Sequence, residues 1–100
     1  MTSSEALDRI KEAARLGRYF IHPHCTKRMR TRNFDVYDVK CALLNAQRAE
    51  AYIDATRGPL PAGTTLWRVF GADLDRDDLT LGVDLTTDHL GNSVVVTTAF

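Results

Sequence analysis

Between Leu79 and Thr86 the chain alternates without a slip. Leu79, Leu81, Val83 and Leu85 fall on one parity, and Thr80, Gly82, Asp84 and Thr86 on the other. Side chains of a strand repeat every two residues, so this run has one aliphatic face and one small or polar face. Such a strand belongs in an antiparallel sheet covered on one side only. Whatever covers it must be an amphipathic layer from elsewhere in the chain.

That layer is legible upstream, where the apolar period is helical. Leu7, Ile10 and Ala14 form a stripe over residues 4–16, with Thr2, Ser3 or Ser4 available as the cap and Gly17 as terminator. "RYFI" then reads as a short extended segment. Pro23 suits the first turn of a second helix, which runs to Arg32 with Asn33 as a left-handed stop. Asp35 caps a third helix, and Asp38 completes a capping box with Asp in place of Glu. Val36, Val39, Leu43 and Leu44 keep helical spacing until Asn45.

Downstream the period falls to two. "AEAYID", "TLWRVFGA", "DLTLGVDLT" and "SVVVTTAF" read as strands, with "TRGPLPAGT" as a loop and "DLDRD" and "TDHLGN" as turns. The expected class is α+β. Three N-terminal helices, with a short strand after the first, pack on one face of a four-stranded antiparallel sheet. One hundred residues suffice for a single domain, helical over about 4–45 and sheet over about 49–100.

Charge narrows the function classes. Thirteen Lys and Arg balance thirteen Asp and Glu, which argues against binding nucleic acid by bulk attraction. The distribution is uneven: residues 18–32 hold five cations and no acid, whereas residues 71–100 hold six aspartates and one arginine. No apolar run approaches the roughly 20 residues that cross a bilayer. The start, "MTSSEALDRIKEAARLG", lacks the pattern of a secretory signal, so a cytoplasmic address is expected, with Cys25 and Cys41 as thiols.

The basic stretch "HPHCTKRMRTRN" lies on the second helix. At 100° per residue, His24, Arg28 and Arg32 fall at about 0°, 40° and 80°, and Cys25 and Met29 at about 100° and 140°. Cys25 and Met29 thus anchor the helix while the His-Arg-Arg stripe borders the buried face. A guanidinium held there by its packed stem needs an anion for its five donors. That anion is either a phosphate from outside or an internal carboxylate, and Asp84, the one acid placed mid-strand, is the internal candidate.

Metal chemistry finds little footing. "HPHC" lacks a second ligand pair at zinc spacing. "DLDRDD" imitates a calcium loop but puts Asp78 at the required glycine, so a hairpin turn is the better account. Glycine-rich phosphate loops and Ser-His-Asp arrangements are absent, and neither metal nor cofactor is expected.

The order "GRYFIHPHCTKRMRTRNFDVYDVKCAL … AEAYI … WRVFGADLDRDDLTLGVDL … SVVVTTAF" resembles the bacterial domain-of-unknown-function family 4258 over nearly the whole chain. His24, Arg28, Met29 and Arg32 match its helix signature, and Thr98 and Phe100 match its closing strand. Cys25 stands where alanine is usual and Asn33 where glycine is usual. That family is distantly similar to BrnT-like and RelE/ParE-like toxins of toxin–antitoxin pairs, many of them ribonucleases. The resemblance implies a metal-independent endoribonuclease or RNA-binding protein, with RNA or the ribosome and a cognate antitoxin as partners.

In such a role His24 moves a proton and Arg28, Arg32 and Arg68 hold the phosphate. Lys27 and Arg30 meet flanking phosphates, and Trp67, Phe70 and Tyr52 stack bases if exposed. His22, beside Pro23, is expected to cap the helix or lie in solvent. The alternative is a non-catalytic module docking an acidic protein, such as an antitoxin, on the same stripe. The apolar last strand would be hazardous as a bare edge, which favours a partner strand, a homodimer or a covering segment. The two readings divide on whether the stripe opens onto a cleft with Arg68 or is closed over by Asp84.

Overall fold

The structure, a computed structural model, describes residues 1–88 and 91–100. Helix α1 spans Ser3–Leu16. The Thr2 hydroxyl accepts the Glu5 N–H and the Glu5 carboxylate accepts the Thr2 N–H, closing a capping box. Gly17 ends the helix at φ 69°. Ala6, Ile10 and Ala14 are fully buried, with Leu7 packed at their margin. Strand β1 (Phe20–Ile21) leads into α2 (Pro23–Arg32), where Asn33 takes the left-handed stop at φ 57°. Helix α3 (Val36–Leu44) starts on Asp35, whose carboxylate accepts the N–H groups of Tyr37 and Asp38.

The sheet comprises β1, β2 (Arg48–Ala51), β3 (Thr64–Ala72), β4 (Asp78–Asp88) and β5 (Gly91–Ala99), in the order β1-β5-β4-β3-β2. It is five-stranded and mixed, not the expected four antiparallel strands. Strand β1 pairs with β5 in parallel, Phe20 against Val95 and Ile21 against Val96, and the His22 N–H extends the ladder to the Val96 carbonyl. Pro23 has no N–H to continue it. Alternation cannot be read over two residues, and a parallel pairing across 75 positions leaves no local trace.

Of the three outcomes expected for the last strand, a partner strand, a homodimer or a covering segment, the chain supplies the covering segment. Strand β5 lies between β1 and β4, so the chain covers its own hazardous edge. Strand β2 is shorter than "AEAYID": after Ala51 only the Tyr52 N–H still bonds the sheet, to the Leu66 carbonyl. "DLDRD" is a hairpin turn in which one Asp73 oxygen accepts the N–H groups of Asp75 and Asp77. The turn expected at "TDHLGN" has its centre outside the described residues.

Helices α1 and α3 cover one face, and α2 stands at its β5 edge with Cys25 in the same core. Ile10, Cys25, Val39 and Leu43 meet Val69, Leu81, Val83, Leu85 and Val96 in a single core. Helix α3 approaches β3 so closely that a Cβ at Gly71 would overlap the Ala42 carbonyl. The register sends Thr64, Leu66, Arg68 and Phe70 of β3 to the other face, beside Thr86, Asp84, Gly82 and Thr80 of β4. Over that face the segment 52–63 folds back, covering Leu66 and returning to the sheet where Gly63, at φ 78°, accepts the Thr87 N–H.

Candidate functional site

The open face is walled on two sides, by α2 beyond β5 and by segment 52–63 above β3. Between them lies a cleft of about 900 Å³. Cys25 is fully buried and Met29 packs on the core, which turns His24, Arg28 and Arg32 into the cleft as the helical wheel requires. His22 is the N-cap: its Nδ1 accepts the His24 N–H at 3.0 Å. With Nδ1 spent as acceptor, the neutral ring carries its proton on Nε2, and His22 also lines the cleft.

The floor comes from β4 and β5. A β-bulge opposite Gly82 and Val83 inserts one extra residue into β5, and both Thr97 and Thr98 line the cleft as a result. Gly82 leaves room there; a Cβ would stand 2.7 Å from the Thr98 methyl and 3.1 Å from the Tyr52 hydroxyl. Thr97 donates to the Gly82 carbonyl at 3.2 Å.

The second wall is held by local hydrogen bonds. Asp54 accepts the Thr56 N–H at 3.0 Å and its hydroxyl at 2.6 Å, an Asx turn whose hydroxyl and amide bonds pull the Asp54 carboxyl below its ordinary pKa. The turn aims Arg57 at the floor, where its guanidinium forks onto both Asp84 oxygens at 2.9 Å. That hydrogen bond raises the Arg57 pKa further. Tyr52, half-buried, has its pKa raised by burial first and then by Asp84 and Asp54, so its hydroxyl keeps its proton.

Asp84 therefore belongs to Arg57 and not to the stripe on α2. Among the described residues Arg28 and Arg32 make no ion pair, and the Arg28 Nε is buried without a hydrogen-bond partner. The internal-carboxylate account of the stripe is thereby corrected. The physical reason is reach: the Arg57 side chain extends from segment 52–63 onto Asp84 of β4, whereas α2 packs against β5.

The other sequence candidates separate. Arg68 does not line the cleft; its guanidinium packs 4.6 Å from the Phe100 ring centroid and 5.3 Å from that of Tyr52. Arg57 takes the place expected of Arg68 as the third arginine. Lys27 and Arg30 are exposed and outside the cleft. Trp67 is buried on the core face with its indole N–H donated to Thr65, so it offers no stacking surface. Phe70 and Tyr52 are on the open face. Arg57 and Thr97 escaped the sequence reading, the first as part of a Gly/Pro loop and the second because a bulge has no periodic signature; Thr98 was noted there only for its match to the closing strand, not as a cleft residue.

The cleft thus presents three guanidinium groups, two imidazoles and a row of hydroxyls against Asp54 and the already engaged Asp84. Such a donor set matches an oxyanion. Among the described residues no group of three or more His, Cys, Asp or Glu gathers as a metal site would require, and no helix is long and apolar enough to cross a membrane. Comparison with models of protein families, with curated proteins and with solved structures finds no match for this chain.

Proposed function

We propose that the cleft binds the phosphodiester of an RNA strand and that the protein is a RelE/BrnT-like toxin acting as a metal-independent ribonuclease. The observation that carries this reading is the unpaired stripe on α2: Arg28 and Arg32 face the cleft with no internal carboxylate, and Arg28 keeps a buried N–H without an acceptor. A buried donor left unpaired costs roughly 1–3 kcal/mol, which a bound phosphate oxygen would recover.

His24 takes the proton of the 2′-hydroxyl as the 2′-oxygen bonds to phosphorus. Arg28 and Arg32 hold the non-bridging oxygens as charge builds on them. The bond from phosphorus to the 5′-oxygen breaks, and that oxygen receives a proton from solvent water, leaving a 2′,3′-cyclic phosphate and a 5′-hydroxyl. Tyr52, protonated, hydrogen-bonds the substrate without changing charge.

The test is incubation of purified protein with end-labelled single-stranded RNA in the presence of a chelator. Cleavage with cyclic-phosphate ends is expected, falling by roughly 100-fold or more in His24→Ala. His24 is exposed, so its removal should leave Tm unchanged. Arg28→Ala should weaken binding itself. RNA bound but never cut would remove the catalytic step and keep the binding cleft. No RNA bound at all, with an acidic protein captured on the same stripe instead, would replace this reading with the docking module.

A further inference from the structure

The open face of the sheet continues past the cleft. Tyr52 and Phe100, which close one end of it, also flank the Arg68 guanidinium, whose Nε is buried without an acceptor. One residue pair further along, the Arg48 guanidinium lies 4.0 Å over the centroid of the Phe70 ring. The register explains the alignment: Arg48 stands opposite Phe70 and Glu50 opposite Arg68, all on the face turned away from the helices.

An ordinary solvent-facing sheet surface is short and polar. This one carries three aromatic rings and two arginines in contact with them. The single acid among them, Glu50, is engaged by Arg48 at 3.1 Å. Guanidinium planes and rings are the flat surfaces on which unpaired bases stack, and the arginines favour a polyanion. At the far end the turn "DLDRDD" brings Asp73, Asp75, Asp77 and Asp78 together, which would repel phosphates and set a limit to the surface.

Resting on the RNA reading above, we infer that this face is a stacking platform for single-stranded RNA leaving the cleft, with successive bases on the Arg68–Phe100 and Arg48–Phe70 pairs. The substrate class is accordingly a single strand longer than the scissile dinucleotide. Duplex RNA is rejected, because its bases are already stacked on one another.

Fluorescence anisotropy with 2′-O-methyl RNA, which lacks the reacting hydroxyl, tests this without interference from cleavage. A labelled octamer should bind wild type roughly tenfold or more tighter than a labelled dinucleotide, and tighter than a duplex of the same sequence. Phe70→Ala and Arg48→Lys should bring the octamer down toward the dinucleotide while leaving dinucleotide binding unchanged. Arg48→Lys keeps the charge and loses the plane, and Arg48 is exposed, so this variant serves even if Phe70→Ala unfolds. If both variants bind the octamer as wild type does while Arg28→Ala abolishes binding, the platform is wrong and the cleft stands. If wild type binds neither RNA, both fall.

Discussion

At the scale of single residues, the cleft is decided by which cation Asp84 holds. The Arg57–Asp84 fork joins a side chain about one-third exposed to one that is 14% exposed, so it is partly screened and contributes on the order of 1 kcal/mol. Its electrostatic effect on a ligand runs the other way, because the carboxylate occupies Arg57 and places negative charge in the floor. Asp84→Asn should therefore lower Tm slightly and raise affinity for a nucleoside monophosphate several-fold; titration calorimetry reading weaker binding would contradict this account. The two thiols make a second contrast. Burial pushes the Cys25 thiol up to about 11, and the residue is fully enclosed, whereas Cys41 is only partly covered. A thiol reagent at pH 8 should modify one cysteine per native chain, Cys41, and two after guanidinium unfolding; rapid labelling of both in the native state would show that α2 is not seated as described.

Single elements carry testable ends and contacts. Helix α3 depends on Asp35 at its N-cap and on Asp38, whose carboxylate accepts the N–H groups of Asp35 and Leu74. Asp35→Ala should cost about 1 kcal/mol in denaturant unfolding. The backbone bond from Asp35, and then that from Leu74, hold the Asp38 carboxyl below its ordinary value. A depressed folded pKa means that the stabilisation is present above the unfolded value of about 3.9 and is lost as pH falls through the lower folded one. Asp38→Asn should accordingly flatten the loss of stability below about pH 4, and an unchanged acid limb would show that these bonds contribute nothing. Where α3 meets β3, Gly71→Ala forces a methyl into the Ala42 carbonyl, backbone against backbone, and should destabilise by about 2 kcal/mol or more. Gly82→Ala meets only the ends of side chains. It should cost less stability and more binding, because the Thr98 methyl, and to a lesser degree the Tyr52 hydroxyl and the Phe100 ring, must move to admit it.

For the whole molecule, zero net charge means that any RNA affinity is local. With two phosphates neutralised by Arg28 and Arg32, the slope of log K against log salt should be about −1.4, the single-strand value per contact being about −0.7. A slope several times steeper would place the contacts outside the cleft. Much of the architecture was readable along the chain. The three helices, their caps at His22 and Asp35 and their stops at Gly17 and Asn33 follow from interactions within four residues, and the aliphatic parity of β4 follows from a period of two. The same local geometry turned His24, Arg28 and Arg32 to one side of α2 around Cys25 and Met29. What lay beyond reach was every pairing between distant segments: β1 against β5, Arg57 rather than Arg28 on Asp84, Arg68 held by Tyr52 and Phe100. Periodicity states which face a side chain takes, because it depends only on neighbouring dihedral angles. Which other side chain waits on that face depends on how the sheet is ordered and where a loop crosses it, and those are settled only when the helices, the strands and segment 52–63 compete to cover the same surface.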